Sequence, residues 1–267
     1  MLCFLKLGGS LITDKDMPQT ARPQVLARLS GEIAGALSAR PDLRLVLGHG
    51  SGSFGHSEAI KHGTRQGVQS PDEWRGFAQV GAAASRLNRI VTDALLAAGL
   101  PVVSLQPSAS AVVRDGVIEA LAVEPIQAAL AHGLVPLVFG DVAFDLARGG
   151  AILSTEDVFR WLASRLRPRR VLLAGVETGV YSDWPAGRTV IPHLAAVESE
   201  QPGVSLGASA APDVTGGMAS KVAEMLALAR EVPGLEILIF SGEVSGNVYA
   251  ALADASASFG TSLLHNA

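Results

Sequence analysis

Six short apolar runs, residues 2–7, 43–47, 101–105, 134–139, 170–174 and 235–240, are each closed by glycine, proline or charge. Runs of that length predict strands buried on both faces. Between them lie stretches of helical period. Residues 23–39 set Leu26, Leu29, Ile33 and Leu37 three or four apart, and 73–98 and 156–167 are long enough for several turns. This strand-helix alternation predicts a mostly parallel sheet covered on both faces. Arg114-Asp115-Gly116-Val117 predicts a hairpin, because Asp-Gly between β-forming segments accepts the positive φ of a two-residue loop. A small antiparallel flap is expected there. The Gly/Ser/Ala-rich tract 203–211 reads as a mobile loop.

Composition narrows the class. The 267 residues are 48% apolar and 17% charged, enough core for one large α/β domain or two joined lobes, 1–168 and 169–267. A net charge of −4 offers no overall field for nucleic acid, so any anion site must be local. The single cysteine, Cys3, supplies neither an internal disulfide nor a zinc ligand set, and no protein-based metal site is expected. The chain opens on an apolar strand rather than a basic leader, and no run approaches the roughly 20 apolar residues of a membrane span. A soluble protein of a reducing cytoplasm is the expectation.

Three glycine-rich turns carry the candidate chemistry. In Lys6-Leu7-Gly8-Gly9-Ser10 a strand ends in two glycines that admit a ligand close to backbone amides, with Lys6 and Lys15 nearby. Alone, this pattern also fits a simple change of chain direction. Gly48-His49-Gly50-Ser51-Gly52-Ser53-Phe54-Gly55-His56 follows the second strand and precedes a helix. Gly50, Gly52 and Gly55 are spaced as in a dinucleotide fingerprint, but the flanking histidines and the earlier Lys-Gly-Gly favour a phosphate clasp. His56 is read as a phosphate donor and His49 as a buttress of the turn. Asp213-Val214-Thr215-Gly216-Gly217-Met218-Ala219-Ser220-Lys221 leads into a third helix, with Lys221 one turn in, where an ordinary exposed lysine is the alternative. No P-loop is present, so the set points to phosphoryl transfer that relies on lysines and amides.

These segments resemble the amino acid kinase superfamily over nearly the whole chain. The paired Lys6 and Lys15, Gly52-Ser53-Phe54-Gly55-His56 and Asp213-Val214-Thr215-Gly216-Gly217-Met218 are most similar to isopentenyl phosphate kinases. The resemblance implies a three-layer α-β-α sandwich with a mostly parallel central sheet, a homodimer, and use of ATP with Mg²⁺ to phosphorylate isopentenyl phosphate. It implies that Lys6 and Lys221 hold ATP phosphates, that Lys15 stabilises the transferring group, and that His56 binds the acceptor phosphate. Gly8, Gly9, Ser10, Gly52 and Gly217 would supply nearby contacts, Ser51 and Thr155 would stand beside the acceptor, and Asp157 would orient the lysines. Gly175, Val176, Tyr181 and Asp183 would serve the nucleotide, in a segment where Ala174-Gly175-Val176-Glu177 departs from many relatives. Ser51 is a second departure.

An isoprenoid acceptor also needs an apolar slot, for which Phe77, Val80, Phe139 and Ile152 offer side chains that equally suit a plain core. Two rivals remain at this stage. One is a kinase for another phosphate or phosphonate such as fosfomycin; the other is a non-catalytic nucleotide-sensing protein.

Overall fold

The computed structural model describes residues 1–64, 67–183, 189–195, 217–257 and 259–264. In chain order the elements are β1 (Leu2–Leu7), α1 (Gly9–Ile12), α2 (Pro23–Ala39), β2 (Arg44–His49), α3 (Gly52–His62), α4 (Pro71–Ala97) and β3 (Val102–Ser104). They continue with β4 (Val112–Arg114), β5 (Val117–Ala120), α5 (Glu124–Ala131), β6 (Val135–Phe139), β7 (Asp141–Asp145), β8 (Gly149–Leu153) and α6 (Thr155–Leu166). The last are β9 (Arg170–Gly175), β10 (His193–Ala195), α7 (Gly217–Glu231), β11 (Glu236–Ser241), α8 (Asn247–Ala253) and β12 (Thr261–Leu264).

Eight strands form the central sheet in the order β10-β12-β11-β9-β1-β2-β6-β3, parallel throughout except for the antiparallel β11–β12 pair. Period-two alternation along β1 assigns the two faces. Cys3, Leu5 and Leu7 join a core with α2, α4 and α8, while Phe4 joins the opposite core with α5, α6 and α7. The result is the expected three layers. Phe4 meets Phe159 of α6 at a centroid separation of 5.1 Å, and burial of such a side chain contributes about 1.5–3 kcal/mol. Lys6 has the parity of Phe4, so it leaves the strand on the α6 side.

β9 pairs directly with β1, so one sheet runs across the expected lobe division near residue 168. The first strand therefore sits in the middle, with β2 on one flank and β9 on the other. The connection after β1 leads to β2 on one side and the connection after β9 leads to β10 and β11 on the other, the kind of switch point at which open α/β sheets bind ligands beyond the carboxyl ends of their strands.

The hairpin at Asp115-Gly116 is present, but it is not an isolated flap. β4 and β5 belong to a second, four-stranded sheet ordered β5-β4-β7-β8, in which β4 and β7 run parallel. Asp145 explains the attachment. Its carboxylate accepts from the backbone N–H groups of Asp115, Gly116, Ala147 and Arg148, tying the hairpin tip to the β7–β8 turn. The tract 203–211 lies outside the described residues.

Candidate active site

Five neighbouring parallel strands, β11, β9, β1, β2 and β6, reach a glycine at their carboxyl ends: Gly242, Gly175, Gly8, Gly50 and Gly140. Backbone bonds stitch this edge together. Gly8 N donates to Ala174 O (2.8 Å), Gly50 N to Leu7 O (3.0 Å), Gly140 N to His49 O (3.1 Å) and Gly242 N to Gly175 O (2.8 Å). The edge is thus a shelf of backbone with few side chains over it.

At the centre the two turns after β1 and β2 touch. A Cβ on Gly9 would lie 2.4 Å from the backbone nitrogen of Gly52, and Gly52 itself has φ +49° with Thr13 Oγ1 packed where its own Cβ would point. Only glycine allows that approach. Thr13 then links the turns, donating to Gly9 O (2.8 Å) and accepting from Ser53 N (3.0 Å). Ser51 precedes α3, and its carbonyl accepts from Phe54 N (3.1 Å) and Gly55 N (3.2 Å). Ser10 lies within the short α1, half-buried.

His49 ends β2 fully buried. Its ring stacks on Phe139 (5.5 Å, 4°), with Nδ1 3.0 Å from Gly50 O and Nε2 3.2 Å from the side-chain amide of Asn88 on α4. Burial pushes its pKa down, against the hydrogen bonds at Gly50 and Asn88. A neutral ring that braces the turn matches the buttress expected of it. Thr155 does related work: its hydroxyl donates to His49 O (2.7 Å) from a buried position at the start of α6.

Lys6 crosses from β1 to the first turn of α6, where its ammonium donates to the Glu156 carboxylate. Both side chains are buried. Burial pushes the Lys6 ammonium down, opposed by Glu156. Burial also pushes the Glu156 carboxyl up, but the charges of Lys6 and Lys221 outweigh it and hold the group below the usual carboxylate range. Lys221, in α7, therefore acts on the same pair, and Glu224 adds its charge from one turn further on.

Asp157, the residue expected to orient the lysines, lies in the first turn of α6. It accepts from Ser154 N and Ser154 Oγ, completing a capping box at the start of α6. Its neighbour Glu156 is the carboxylate on Lys6, and sequence spacing missed it because adjacent helical residues point about 100° apart. Lys15 is exposed on the loop after α1. His56 falls within α3, and its side chain lies outside the described residues, as do Asp213, Val214, Thr215 and Gly216; Gly217 opens α7.

On the other flank, Gly175 closes β9 and Val176 O accepts from Ser241 Oγ (2.8 Å) at the end of β11. Tyr181 OH lies 2.8 Å from Thr178 Oγ1, and Asp183 accepts from Thr189 N (3.0 Å). These four residues occupy one stretch leading away from the glycine edge.

Of the four apolar residues considered for a slot, Phe77 and Val80 join Val68, Val142 and the partly buried Ile152 in a separate cluster beside the second sheet. Phe139 lies elsewhere, against His49. Among the described residues no cluster of three or more His, Cys, Asp or Glu side chains is arranged for a metal ion, and no helix is long and apolar enough to cross a membrane.

Glycine-edged strand ends stand beside the buried Lys6–Glu156 pair, on which the charge of Lys221 acts. The arrangement can position and neutralise phosphates without a side-chain nucleophile.

Residues 1–241 match the amino acid kinase family. The chain is 36% identical over 258 residues to the isopentenyl phosphate kinase of Methanothermobacter thermautotrophicus, covering 94% of this chain and 95% of that protein. It is 39% identical over 228 residues to the Haloferax volcanii enzyme of the same name, covering 85% and 88%. A crystal structure described as isopentenyl phosphate kinase superposes with a TM-score of 0.83 at 31% identity, covering 98% of this chain and all of that one. With sheet order, glycine edge and likeness in agreement from end to end, the chain belongs to the isopentenyl phosphate kinases of the amino acid kinase family.

Proposed function

We propose that this protein transfers the γ-phosphoryl group of ATP to isopentenyl phosphate, giving isopentenyl diphosphate and ADP. The observation that carries the reading is the buried Lys6–Glu156 pair beside the glycine-ended central strands, with the charge of Lys221 acting on it, in a chain so similar to isopentenyl phosphate kinases. An oxygen of the acceptor phosphate forms the new bond to the γ-phosphorus as the bond to the ADP oxygen breaks, and the electron pair leaves with ADP. No general base is needed, because a phosphate monoester is already anionic near neutral pH. The physical problem is to bring two anions together.

In this scheme Lys6 and Lys221 hold the nucleotide phosphates, with backbone groups of Gly8, Gly9 and Gly217 beside them, while Lys15 meets the charge on the transferring group. Glu156 keeps the Lys6 ammonium aimed along the strand end. His56, Ser51 and Gly52 receive the acceptor phosphate on the 1–168 side, and Gly175, Val176, Tyr181 and Asp183 serve the nucleotide on the 169–267 side. The cluster around Phe77, Val80 and Ile152 suits a short hydrocarbon tail, which gains about 25 cal/mol per Å² on leaving water. Mg²⁺ belongs with the nucleotide, since this ion is typically bound through phosphate oxygens and one or two carboxylates, and it supplies charge neutralisation. A homodimer completes the reading.

Isopentenyl phosphate, dimethylallyl phosphate, longer prenyl phosphates and fosfomycin, each incubated with ATP and followed by phosphorus NMR, test it. A diphosphate formed fastest from isopentenyl phosphate is expected; turnover confined to a non-isoprenoid overturns the substrate.

A further inference from the structure

The loop that carries Lys15 is held at its base and on one side. Thr13 and Ala21 form an isolated antiparallel bridge, Asp14 N donates to Thr20 O (2.9 Å), and Arg22 N donates to Ile12 O (2.9 Å). Lys15, Asp16, Met17 and Pro18 are exposed at the tip. On the side toward α3, Gln19 N donates to Ser53 O (3.3 Å) and Thr20 N to Ser53 Oγ (3.4 Å). The loop therefore leans on the turn that begins α3.

Gln19 is where that contact is made. Among the described residues it is one of three non-glycine residues with positive φ (+48°), a backbone state that L residues hold only when their surroundings impose it. Its side-chain amide is engaged at both ends: Nε2 donates to Glu58 Oε1 on α3 (3.1 Å), and Oε1 accepts from Arg86 Nη2 on α4 (2.7 Å). One side chain thus ties the Lys15 loop to both helices that flank the acceptor turn, and α3 starts at Gly52, in contact with Gly9.

We infer that Gln19 is a positioning residue for phosphoryl transfer, latching the Lys15 loop to α3 and α4 so that the Lys15 ammonium is held over the acceptor turn. This rests on the kinase reading above only for the role of Lys15. The latch itself is a property of the loop. The amide is needed because it offers a donor to the Glu58 carboxylate and an acceptor to the Arg86 guanidinium at once, which neither a carboxylate nor an ammonium can do.

Gln19→Glu sets two carboxylates against each other at the Glu58 contact, and Gln19→Glu with Glu58→Gln restores a donor–acceptor pair with the roles exchanged. Glu58→Gln alone keeps an acceptor for Gln19. Gln19→Glu is expected to lower kcat roughly tenfold while the KM for ATP stays within about twofold, and the double variant to recover to within about threefold of the parent. Hydrogen exchange at the backbone amides of Asp16, Met17 and Gln19 should accelerate in Gln19→Glu and slow again in the double variant. An unchanged kcat in Gln19→Glu, a double variant as impaired as the single one, or exchange that does not respond overturns the latch. If the parent enzyme shows no turnover of isopentenyl phosphate, the exchange arm still decides the latch while the kinase reading fails separately.

Discussion

Lys6 and Glu156 stand 150 positions apart in the chain and meet as a buried ion pair between the first strand and the first turn of α6. Neither charge is well solvated, so each depends on the other for compensation. The charge of Lys221, in α7, acts on the same pair. The geometry makes Glu156 the residue that sets where the Lys6 ammonium points.

Glu156→Gln keeps the shape and removes the charge. Lys6 then loses its ionic partner, and the expected result is a fall in kcat of roughly 10- to 100-fold, with a change in the KM for ATP of less than about threefold. Steady-state kinetics with varied ATP check this. A variant as fast as the parent would show that Lys6 needs no such partner.

The same pair and His49 predict acid sensitivity. The folded-state pKa of Glu156 is depressed, so its stabilisation is complete above the unfolded value of about 4.3 and is lost as pH falls through the folded value. His49 also has a depressed folded pKa: below about 6.5 the unfolded chain takes up a proton that the fold refuses, so stability again declines toward acid. Urea titrations between pH 7.5 and 5 should show a decline of at most about 1.4 kcal/mol per pH unit from this one histidine. His49→Asn should flatten that interval specifically; an identical slope in the variant would remove His49 as its source.

Gly9→Ala tests the contact between the two turns. The added Cβ would fall 2.4 Å from Gly52 N, so the turns must separate, at a cost of about 1–3 kcal/mol in urea unfolding and with a lower kcat. Gly31→Ala on the exposed face of α2 is the control. Nothing lies within 4 Å of its new methyl group, and helix propensity predicts a gain of roughly 0.5–1 kcal/mol. Equal effects at the two sites would contradict the close approach.

Lys15→Ala should lower kcat far more than it raises the KM for ATP, because the charge it meets develops on the transferring group. Lys15 is exposed, so the unfolding midpoint should stay put. A raised KM with kcat intact would move Lys15 to nucleotide binding.

The expected strands and long helices appear where period and punctuation placed them, with shifts of a residue or two at their ends. α4 starts at Pro71 rather than 73 because Ser70 and Glu73 cap each other, and α6 starts at Thr155 through the Ser154–Asp157 box. The elements that spacing did not mark are those whose stability is borrowed. α8 has seven residues, and its amino-terminal amides at Val248 and Tyr249 are satisfied by Glu32 of α2. β8 pairs with β7, and β7 pairs also with β4 of the hairpin at Asp115-Gly116. α5 is a short surface helix with only Ile126 and Ala129 buried.

The glycine turns were legible because a glycine at a strand end reports a local backbone requirement, and the lysines because they sit beside those turns. Glu156 was not. Whether it or Asp157 faces Lys6 depends on how α6 is rotated when Phe159 packs on Phe4, and that rotation is set by contacts between distant parts of the chain.

What the order of residues determined alone is everything governed by near neighbours: the parallel α/β class, the strand-ending glycines, the lysines and the hairpin turn. What tertiary structure decided is which of those meet: β1 at the centre of the sheet, Lys6 against Glu156, Gly9 against Gly52, and the hairpin in a second sheet. Local pattern sets backbone preference within a few residues, whereas pairing across 150 positions is chosen by packing and by the cost of leaving a buried charge alone.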